Sequence, residues 1–227
     1  MLNYLATSTR PDIAFAVHQC AKFSSNPKLS HETAVKRIVR YLKSTSENGL
    51  VLKIDKTQGL PCFVDADFAG GWNKETGDDG STLLSRTGYV IYYKGCILNW
   101  KSKMQTEIAL STTEAEYIAL SQSMREIIPL LEMLNEIRKV YDISQEKPSI
   151  NCTLFEDNNG ALQLAKEPKY RPRTKHIALK YHHFRQYVKQ GLVDIQPIDT
   201  KVQIADIFTK PLEPGQFTFL RKKLCGW

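Results

Sequence analysis

The chain has 227 residues, of which 42% are hydrophobic and 24% are charged, and its formal net charge is +7. This composition favours a globular protein with a sizeable core over a disordered chain. No apolar run reaches the roughly 18 residues of a membrane span, and the N-terminus lacks the pattern of a secretory signal. Five cysteines without CxxC spacing favour reduced thiols over a disulfide framework. We therefore expect an intracellular protein that does not contact a membrane.

The positive charge is unevenly distributed along the chain. Residues 1–59 carry a net charge of +5, residues 60–165 carry −6, and residues 166–227 carry +8. Two basic flanks around an acidic centre would suit a polyanion that is bound at its edges while metal ions offset the acidic middle. Lysines and arginines that only solvate helix surfaces would give the same balance. The charge pattern therefore does not decide the function by itself.

The first 55 residues predict helices. The Arg-Pro-Asp sequence that begins at Arg10 is a helix start, because proline is tolerated in a first turn and an acidic residue is favourable there. A second amphipathic helix is expected to begin with Ser30 as its cap. The polar segment 55–59 then marks a boundary. We expect a helical segment at residues 1–55 and a separate domain at residues 56–227.

From residue 60 onward the pattern predicts strands. Alternating apolar residues lead to Asp65, and the segments TGYVIYY and CILNW flank a turn at Lys94 and Gly95. A long helix is expected to begin with Thr112 or Thr113 as its cap. Pro129 lies inside this helix and should bend or divide it.

The last third of the chain predicts alternating elements. A strand at 150–155 delivers Asp157 to its end, where a short helix begins. An amphipathic helix follows Thr174, and a last strand precedes a terminal helix near residues 205–210. The order βββαβααβα predicts a mixed five-stranded sheet flanked by helices.

Four acidic residues stand where a strand ends or a helix begins. They are Asp65 in FVDADFAG, Glu116 in STTEAEYIAL, Asp157 in FEDNNGAL and Asp206 in QIADIFTKPL. Each alone would be interpreted as a helix cap or a surface residue. Held close together, four carboxylates repel one another unless a hard divalent cation neutralises them. The sequence therefore predicts a site for two Mg²⁺ ions, with Mn²⁺ as an alternative, which could promote phosphodiester hydrolysis.

The segments FVDADFAG, LNWKSKMQTEIALSTTEAEYIAL, FEDNNGAL and VQIADIFTKPL resemble the successive motifs of the ribonuclease H domain in copia-type LTR retrotransposon polyproteins. The N-terminal segments YLATSTRPDIAFAV and AVKRIVRYLKST resemble the end of the reverse transcriptase upstream of that domain, its thumb or connection region. The chain contains no Tyr-x-Asp-Asp sequence, so DNA synthesis is not expected of it.

The resemblance implies a ribonuclease H-like α/β fold that hydrolyses the RNA strand of an RNA–DNA hybrid during reverse transcription. It also implies that Asp65, Glu116, Asp157 and Asp206 are both the catalytic residues and the metal ligands. The polymerase portion of the Pol polyprotein is the expected protein partner. The expected location is the cytoplasm, within a virus-like particle, or the nucleus.

Two of the four positions have a competitor. Asp67 points to the same face of its strand as Asp65 by the period of two, although the first aspartate of the family directly follows the apolar residues of the strand. Glu114 competes with Glu116, which is favoured by aligning AEYIAL with the Ala-Glu-Leu-x-Ala-Leu sequence of retroviral ribonucleases H. Glu156 lies beside Asp157.

A basic segment, RTKHIALKYHHFR, offers a surface for the nucleic-acid backbone. The candidate nucleic-acid-binding residues are Arg173, Lys175, His176, Lys180 and Lys210. Zinc binding by the histidines of this segment is disfavoured, because adjacent histidines on a helix diverge and no paired cysteine lies at ligand spacing. The histidines in question are His176, His182 and His183.

Four further residues bear on the substrate and on product release. Base stacking on Trp72 or Trp100 is less expected than a place in the core. Some ribonucleases H carry a mobile histidine before the last aspartate. Asp199 and Thr200 occupy roughly that place here, so the residue that assists product release is not identified.

Two other functions compete with hybrid hydrolysis. A catalytically inactive or domesticated fragment that only binds nucleic acid would have the same basic flanks, but an intact carboxylate set argues against decay. Integrase-type strand transfer uses similar metal chemistry. It expects an Asp, Asp, Glu order and usually an accompanying zinc domain, and neither is evident in this sequence.

Overall fold

The computed structural model describes residues 1–72, 80–141, 150–166 and 183–227, and a five-stranded sheet forms its centre. The strands are β1 Leu60–Asp67, β2 Arg86–Tyr93, β3 Cys96–Met104, β4 Cys152–Glu156 and β5 Val193–Pro197. They lie in the order β3-β2-β1-β4-β5. Strands β1, β2 and β3 form an antiparallel meander, whereas β4 runs parallel to β1 and β5. The predicted mixed five-stranded sheet is confirmed.

The central strand β1 has apolar side chains on both of its faces. Cys62 and Val64 are fully buried in one core, and Phe63 between them packs against a second core on the opposite face. This alternation follows from the pleat of a strand. The turn between β2 and β3 falls at Lys94 and Gly95 as predicted, and both residues have positive φ angles, of 51° and 80°.

The first face of the sheet is covered by α4 Thr112–Val140, α5 Asn159–Lys166 and α6 Arg185–Lys189. The cap of α4 is Ser111, whose Oγ accepts a hydrogen bond of 3.1 Å from the backbone N–H of Glu114. The prediction of Thr112 or Thr113 as cap is wrong, because Ser111 is the last residue with extended backbone angles. Pro129 lies inside α4 and does not divide it.

The second face is covered by helices from both ends of the chain. The N-terminal helices are α1 Leu2–Ser8, α2 Ala14–Ala21 and α3 Leu29–Ser44, with a short 3-10 helix at Pro11–Ile13 before α2. The C-terminal helices are α7 Asp206–Thr209 and α8 Pro214–Cys225. Their shared core with the sheet comprises Ala6, Ile13, Ala14, Val17, Ile38, Val90, Tyr92, Ile97, Ile204, Ile207, Phe208, Leu224 and Cys225.

Two details of these helices differ from the prediction. Helix α3 is capped at Lys28 and not at Ser30, because Lys28 has extended backbone angles and its N–H donates to Nδ1 of His31 at 3.0 Å. Helices α1 and α8 were not predicted. The signals of α8 were present in the sequence, since Pro214 opens it and Gly226 ends it with a left-handed φ of 91°.

A buried polar network joins the N-terminal helices to the end of the chain. Arg10 pairs with Asp12 at 2.8 Å, and the hydroxyl of Tyr41 donates to Asp12 at 2.7 Å. The guanidinium of Arg10 lies 5.5 Å from the ring centroid of Trp227, the last residue, and Arg221 lies 4.2 Å from that ring on α8. In the structure, the helices of residues 1–55 therefore share a core with the sheet. The division of the chain near residue 56 stays a prediction.

The described ranges, residues 1–72, 80–141, 150–166 and 183–227, include no helix that is long and apolar enough to cross a membrane. All five cysteines are free thiols.

The Arg10–Asp12 pair predicts a large effect of a small substitution. The side chain of Asp12 is 0% exposed and that of Arg10 is 10% exposed. Asp12→Ala should therefore lower the free energy of unfolding by about 3 to 5 kcal/mol, because it leaves a buried guanidinium without its partner. Urea unfolding monitored by circular dichroism measures this loss.

A matched control is the exposed pair of Glu32 and Lys36, whose atoms are 2.6 Å apart. Glu32→Ala should cost less than about 1 kcal/mol, because solvent screens an exposed pair. Equal losses for the two variants would contradict a structural role for the buried network.

Candidate metal centre

Three of the predicted carboxylates meet at one edge of the sheet. Phe63 of β1 is in register with Phe155 of the parallel strand β4. Asp65 follows two residues later on β1, and Asp157 lies directly after the end of β4. Glu116 enters from the first turns of α4, which packs on β1. One oxygen atom from each of Asp65, Glu116 and Asp157 lies within 4.8 Å of the others.

The structure separates each of these residues from its competitor. Asp67 lies at the end of β1 opposite Arg86 and is outside the group of three, whereas Asp65 is 2% exposed and inside it. The carboxylate of Glu114 accepts a hydrogen bond of 2.8 Å from the backbone N–H of Leu110. Glu114 thus helps to cap α4, and Glu116 one half-turn later joins the group.

The fourth predicted residue, Asp206, approaches from the other face of the sheet. It is the first residue of α7 and is 3% exposed. Lys210 connects it to the group, because its Nζ lies 2.9 Å from Oδ1 of Asp206 and 3.8 Å from Oδ1 of Asp65. The hydroxyl of Thr209 also donates to the Asp65 carboxylate. Asp206 itself is outside the group of three that lies within 4.8 Å.

A glycine allows α7 to come this close. Gly88 is the partner of Asp65 across the β1–β2 pair. A Cβ on Gly88 would lie 2.6 Å from Cγ2 of Thr209 and 2.8 Å from Cβ of Phe208. Both distances are shorter than a van der Waals contact between carbon atoms. Because Gly88 has no side chain, α7 can pack against β2 and bring Asp206 and Lys210 close to Asp65.

Strand β3 holds α7 from the other side. The hydroxyl of Ser102 donates to the carbonyl oxygen of Phe208 on α7 at 2.5 Å. The carbonyl oxygen of the same serine accepts a hydrogen bond from Nδ1 of His18 on α2. Ser102 thus links an N-terminal helix to the helix that carries Asp206.

Two further residues, to which the sequence analysis assigns no role in the centre, contact it in the structure. Glu156 is completely buried, and its Oε1 accepts a hydrogen bond of 3.1 Å from the N–H of Asn158. Thr200 lies in the region where some ribonucleases H carry a histidine, and its hydroxyl donates to Oδ2 of Asp157 at 2.7 Å. Thr200 therefore orients Asp157.

Burial dominates the electrostatics of the centre. It raises the pKa of Asp65, and Lys210 and Thr209 act in the opposite direction. Burial and the charges of nearby carboxylates raise the pKa of Glu116 and Glu156 well above the ordinary range for glutamate. Burial and the charge of Asp65 raise the pKa of Asp206 to about 7, although Lys210 opposes this shift.

The donor set fits a divalent cation. Oε2 of Glu116 and Oε2 of Glu156 are buried without a hydrogen-bond partner, which is costly for a carboxylate. A hard cation such as Mg²⁺ takes carboxylate oxygens as ligands and would neutralise the repulsion among them. The residues that could hold it are Asp65, Glu116 and Asp157, with Asp206 beside them.

Four of the five predicted nucleic-acid-binding residues fall outside the part of the chain that the structure describes. Arg173, Lys175, His176 and Lys180 are outside the described residues, and so are His176 and His182 of the disfavoured zinc site. Lys210 is described and lies within the centre.

The two tryptophans have different surroundings. Trp100 packs against the second core and donates through Nε1 to the carbonyl oxygen of Ala6 at 2.7 Å. Trp72 is half exposed. The expected place of Trp100 in the core is confirmed.

The contact between Gly88 and α7 predicts that Gly88→Ala is destabilising. The added methyl group must displace α7 or β2, so the free energy of unfolding should fall by about 1 to 3 kcal/mol. Gly215→Ala is the control, because a Cβ there meets nothing within 4 Å and alanine is favoured in a helix. Chemical denaturation compares the two, and an equal stability of both variants would refute the proposed steric constraint.

Comparison with known proteins identifies relatives of the chain. No protein-family model matches it. It is 35% identical over 223 residues to the retrovirus-related Pol polyprotein from transposon RE1 of Arabidopsis thaliana, which covers 98% of this chain and 14% of that protein. It is 36% identical over 225 residues to the corresponding polyprotein from transposon TNT 1-94 of Nicotiana tabacum, which covers 99% of this chain and 16% of that protein.

Solved structures with a similar fold have low sequence identity. The N-terminal RNase H domain of a Mycobacterium tuberculosis protein has a TM-score of 0.43 and 10% identity, covering 75% of this chain and 98% of that chain. LC11-RNase H1, isolated from compost, has a TM-score of 0.41 and 18% identity, covering 66% of this chain and 92% of that chain.

The chain thus spans 14% to 16% of the length of these curated relatives, while nearly all of its own residues align with them. The alignment includes the N-terminal helices as well as the sheet and the acidic centre. Over nearly its whole length, the chain is thus homologous to one segment of the retrovirus-related Pol polyproteins of copia-type transposons.

Proposed function

We propose that this chain is a ribonuclease H that hydrolyses the RNA strand of RNA–DNA hybrids with two bound divalent metal ions, Mg²⁺ or Mn²⁺. The observation that carries the proposal is the convergence of Asp65, Glu116 and Asp157, from three separate elements, within 4.8 Å. These residues are more than 40 positions apart along the chain. Only the tertiary fold brings them together.

The carboxylates of the centre have distinct surroundings that suit a shared metal site. Asp65 lies centrally, because it is close to Glu116 and Asp157 on one side and to Lys210 on the other. Asp157 is half-buried at the edge, with its orientation fixed by Thr200. Asp65, Glu116 and Asp157 would hold the metal ions, which would supply activation of a water molecule and stabilisation of the leaving oxygen of a phosphodiester. No protein nucleophile is required.

The identity of the nucleic acid follows from a weaker argument. Selection of the RNA strand would rest on the shape of the duplex and on contacts to 2′-hydroxyl groups, not on base sequence. The net charge of +8 in residues 166–227 supports binding of a phosphate backbone. The relatives are Pol polyproteins, so we place the activity in reverse transcription, next to the polymerase portion of such a polyprotein.

The carboxylate of Asp157 provides the first test. Asp157→Asn should lower cleavage of the RNA strand of a labelled hybrid by more than about 100-fold, since a neutral amide is a poor ligand for a hard cation. Excess EDTA should abolish cleavage by the wild-type protein, and added Mg²⁺ should restore it. Duplex DNA should not be cut.

The matched control is Asp194→Asn, which removes the same charge from an exposed residue of β5. It should keep wild-type activity. Undiminished cleavage by the Asp157 variant would refute the assignment of Asp157 to the catalytic site. A wild-type protein that binds the hybrid without cutting it would instead favour the inactive, nucleic-acid-binding fragment.

The two glutamates of α4 provide a second test. Glu116→Gln should abolish cleavage, because it removes one of the three converging carboxylates. Glu114→Gln should retain cleavage and change stability by less than about 1 kcal/mol, because glutamine can also accept a hydrogen bond at a helix start. Steady-state cleavage assays and thermal unfolding measure both effects. The reverse result would transfer the assignment from Glu116 to Glu114.

A further inference from the structure

Lys210 lies between two carboxylates that belong to the proposed metal centre. Its side chain is 33% exposed, whereas those of Asp206 and Asp65 are 5% and 2% exposed. Its ammonium nitrogen is 2.9 Å from Oδ1 of Asp206 and 3.8 Å from Oδ1 of Asp65. The carboxylates are therefore buried deeper than the cation that pairs with them, and the lysine reaches them from the solvent side.

The backbone fixes this arrangement. Asp206 and Lys210 are the first residue and the C-terminal cap of the single turn of α7, and the N–H of Lys210 donates to the carbonyl oxygen of Asp206 at 3.3 Å. Thr209, the residue before Lys210, donates to Asp65 through its hydroxyl. The Thr-Lys pair at the end of α7 thus contacts both aspartates with two different groups.

The positive charge of Lys210 lies near two buried carboxylates, Asp65 and Asp206, and offsets the repulsion between them. Its ammonium pairs with the carboxylates of both Asp65 and Asp206. In each of the two pairs, the oxygen that the ammonium approaches is Oδ1. A divalent ion that used these two oxygens would have to take the place of the ammonium.

We propose that Lys210 is an internal counter-ion that holds Asp65 and Asp206 together in the absence of metal and competes with a divalent cation for their oxygens. This inference rests on the proposed function, because it assigns both aspartates to the metal centre. It makes Lys210 a positioning residue that acts through the two carboxylates. The group formed by Asp65, Glu116 and Asp157 can accept one cation without moving Lys210, and a cation between Asp65 and Asp206 requires Lys210 to leave.

The experiment measures Mg²⁺ binding to the full chain without nucleic acid. Lys210→Met removes the charge and keeps the length of the side chain. Isothermal titration calorimetry should show roughly tenfold tighter Mg²⁺ binding by this variant than by the wild type, because the competing cation is gone. In EDTA its melting temperature should be lower by roughly 5 °C, and Mg²⁺ should raise it by more than it raises that of the wild type.

Lys36→Met is the matched control. Lys36 pairs with Glu32 at the same i,i+4 spacing, at 2.6 Å, on the exposed surface of α3. This variant loses the same charge, so it should show the Mg²⁺ affinity of the wild type. A tenfold change in this control would mean that net charge, and not the position of Lys210, determines the affinity, and would overturn the proposal.

Lys210→Arg keeps the charge and guards against a methionine variant that does not fold. Its Mg²⁺ affinity should stay within about threefold of the wild type. Tenfold tighter binding by the arginine variant, or unchanged binding by a folded methionine variant, would overturn the counter-ion role. If one of these two results is obtained and the wild type still cuts hybrids, the counter-ion role of Lys210 is refuted and the proposed ribonuclease H function stands. A wild type that neither binds Mg²⁺ nor cuts a hybrid defeats both proposals.

Discussion

Repulsion among buried carboxyl groups is the constraint on which this structure depends. Asp65, Glu116 and Glu156 are nearly inaccessible to water, and burial with mutual repulsion raises the pKa of each. A protein gains no stability from such a cluster. The surrounding elements are arranged to hold it together, since a parallel pair of strands brings two aspartates to one edge and two helices deliver the other groups. Such a cost in stability is the expected counterpart of the proposed metal site.

The sheet that carries these residues is buried on both faces, and this affects how its strands appear in the sequence. In β2, seven consecutive residues from Arg86 to Tyr92 are buried. The segment TGYVIYY therefore lacks the polar and apolar alternation of a strand with one wet face. Helices from both chain ends supply the second cover. Residues that resemble the end of a reverse transcriptase are thus part of the core behind the acidic centre.

The sequence could predict the parts of the centre that depend on local structure. Asp65 and Asp157 stand at strand ends, and a parallel pairing of those strands is enough to bring them together. The choice between Glu114 and Glu116 rested on resemblance, and the structure separates them by the capping contact of Glu114.

Long-range contacts could not be predicted in this way. The approach of α7 to Gly88 joins residues more than 100 positions apart, and the pairing of Lys210 with Asp65 depends on it. Period-two alternation places Asp65 and Asp67 on one face of β1 and cannot decide between them. The register between β1 and β4 distinguishes the two aspartates, because it places Asp65 and not Asp67 beside Asp157.

The position of Ser102 gives the N-terminal helices a direct influence on the last acidic residue. This serine of β3 is bonded to α2 through His18 and to α7 through Phe208. No atom of α2 is needed for metal chemistry, yet α2 is one of the supports against which Asp206 is set. Removing residues 1–55 would thus remove packing contacts that support α7 and, through it, Asp206. The N-terminal helices and the sheet share one hydrophobic core, so the support of Asp206 comes from both ends of the chain.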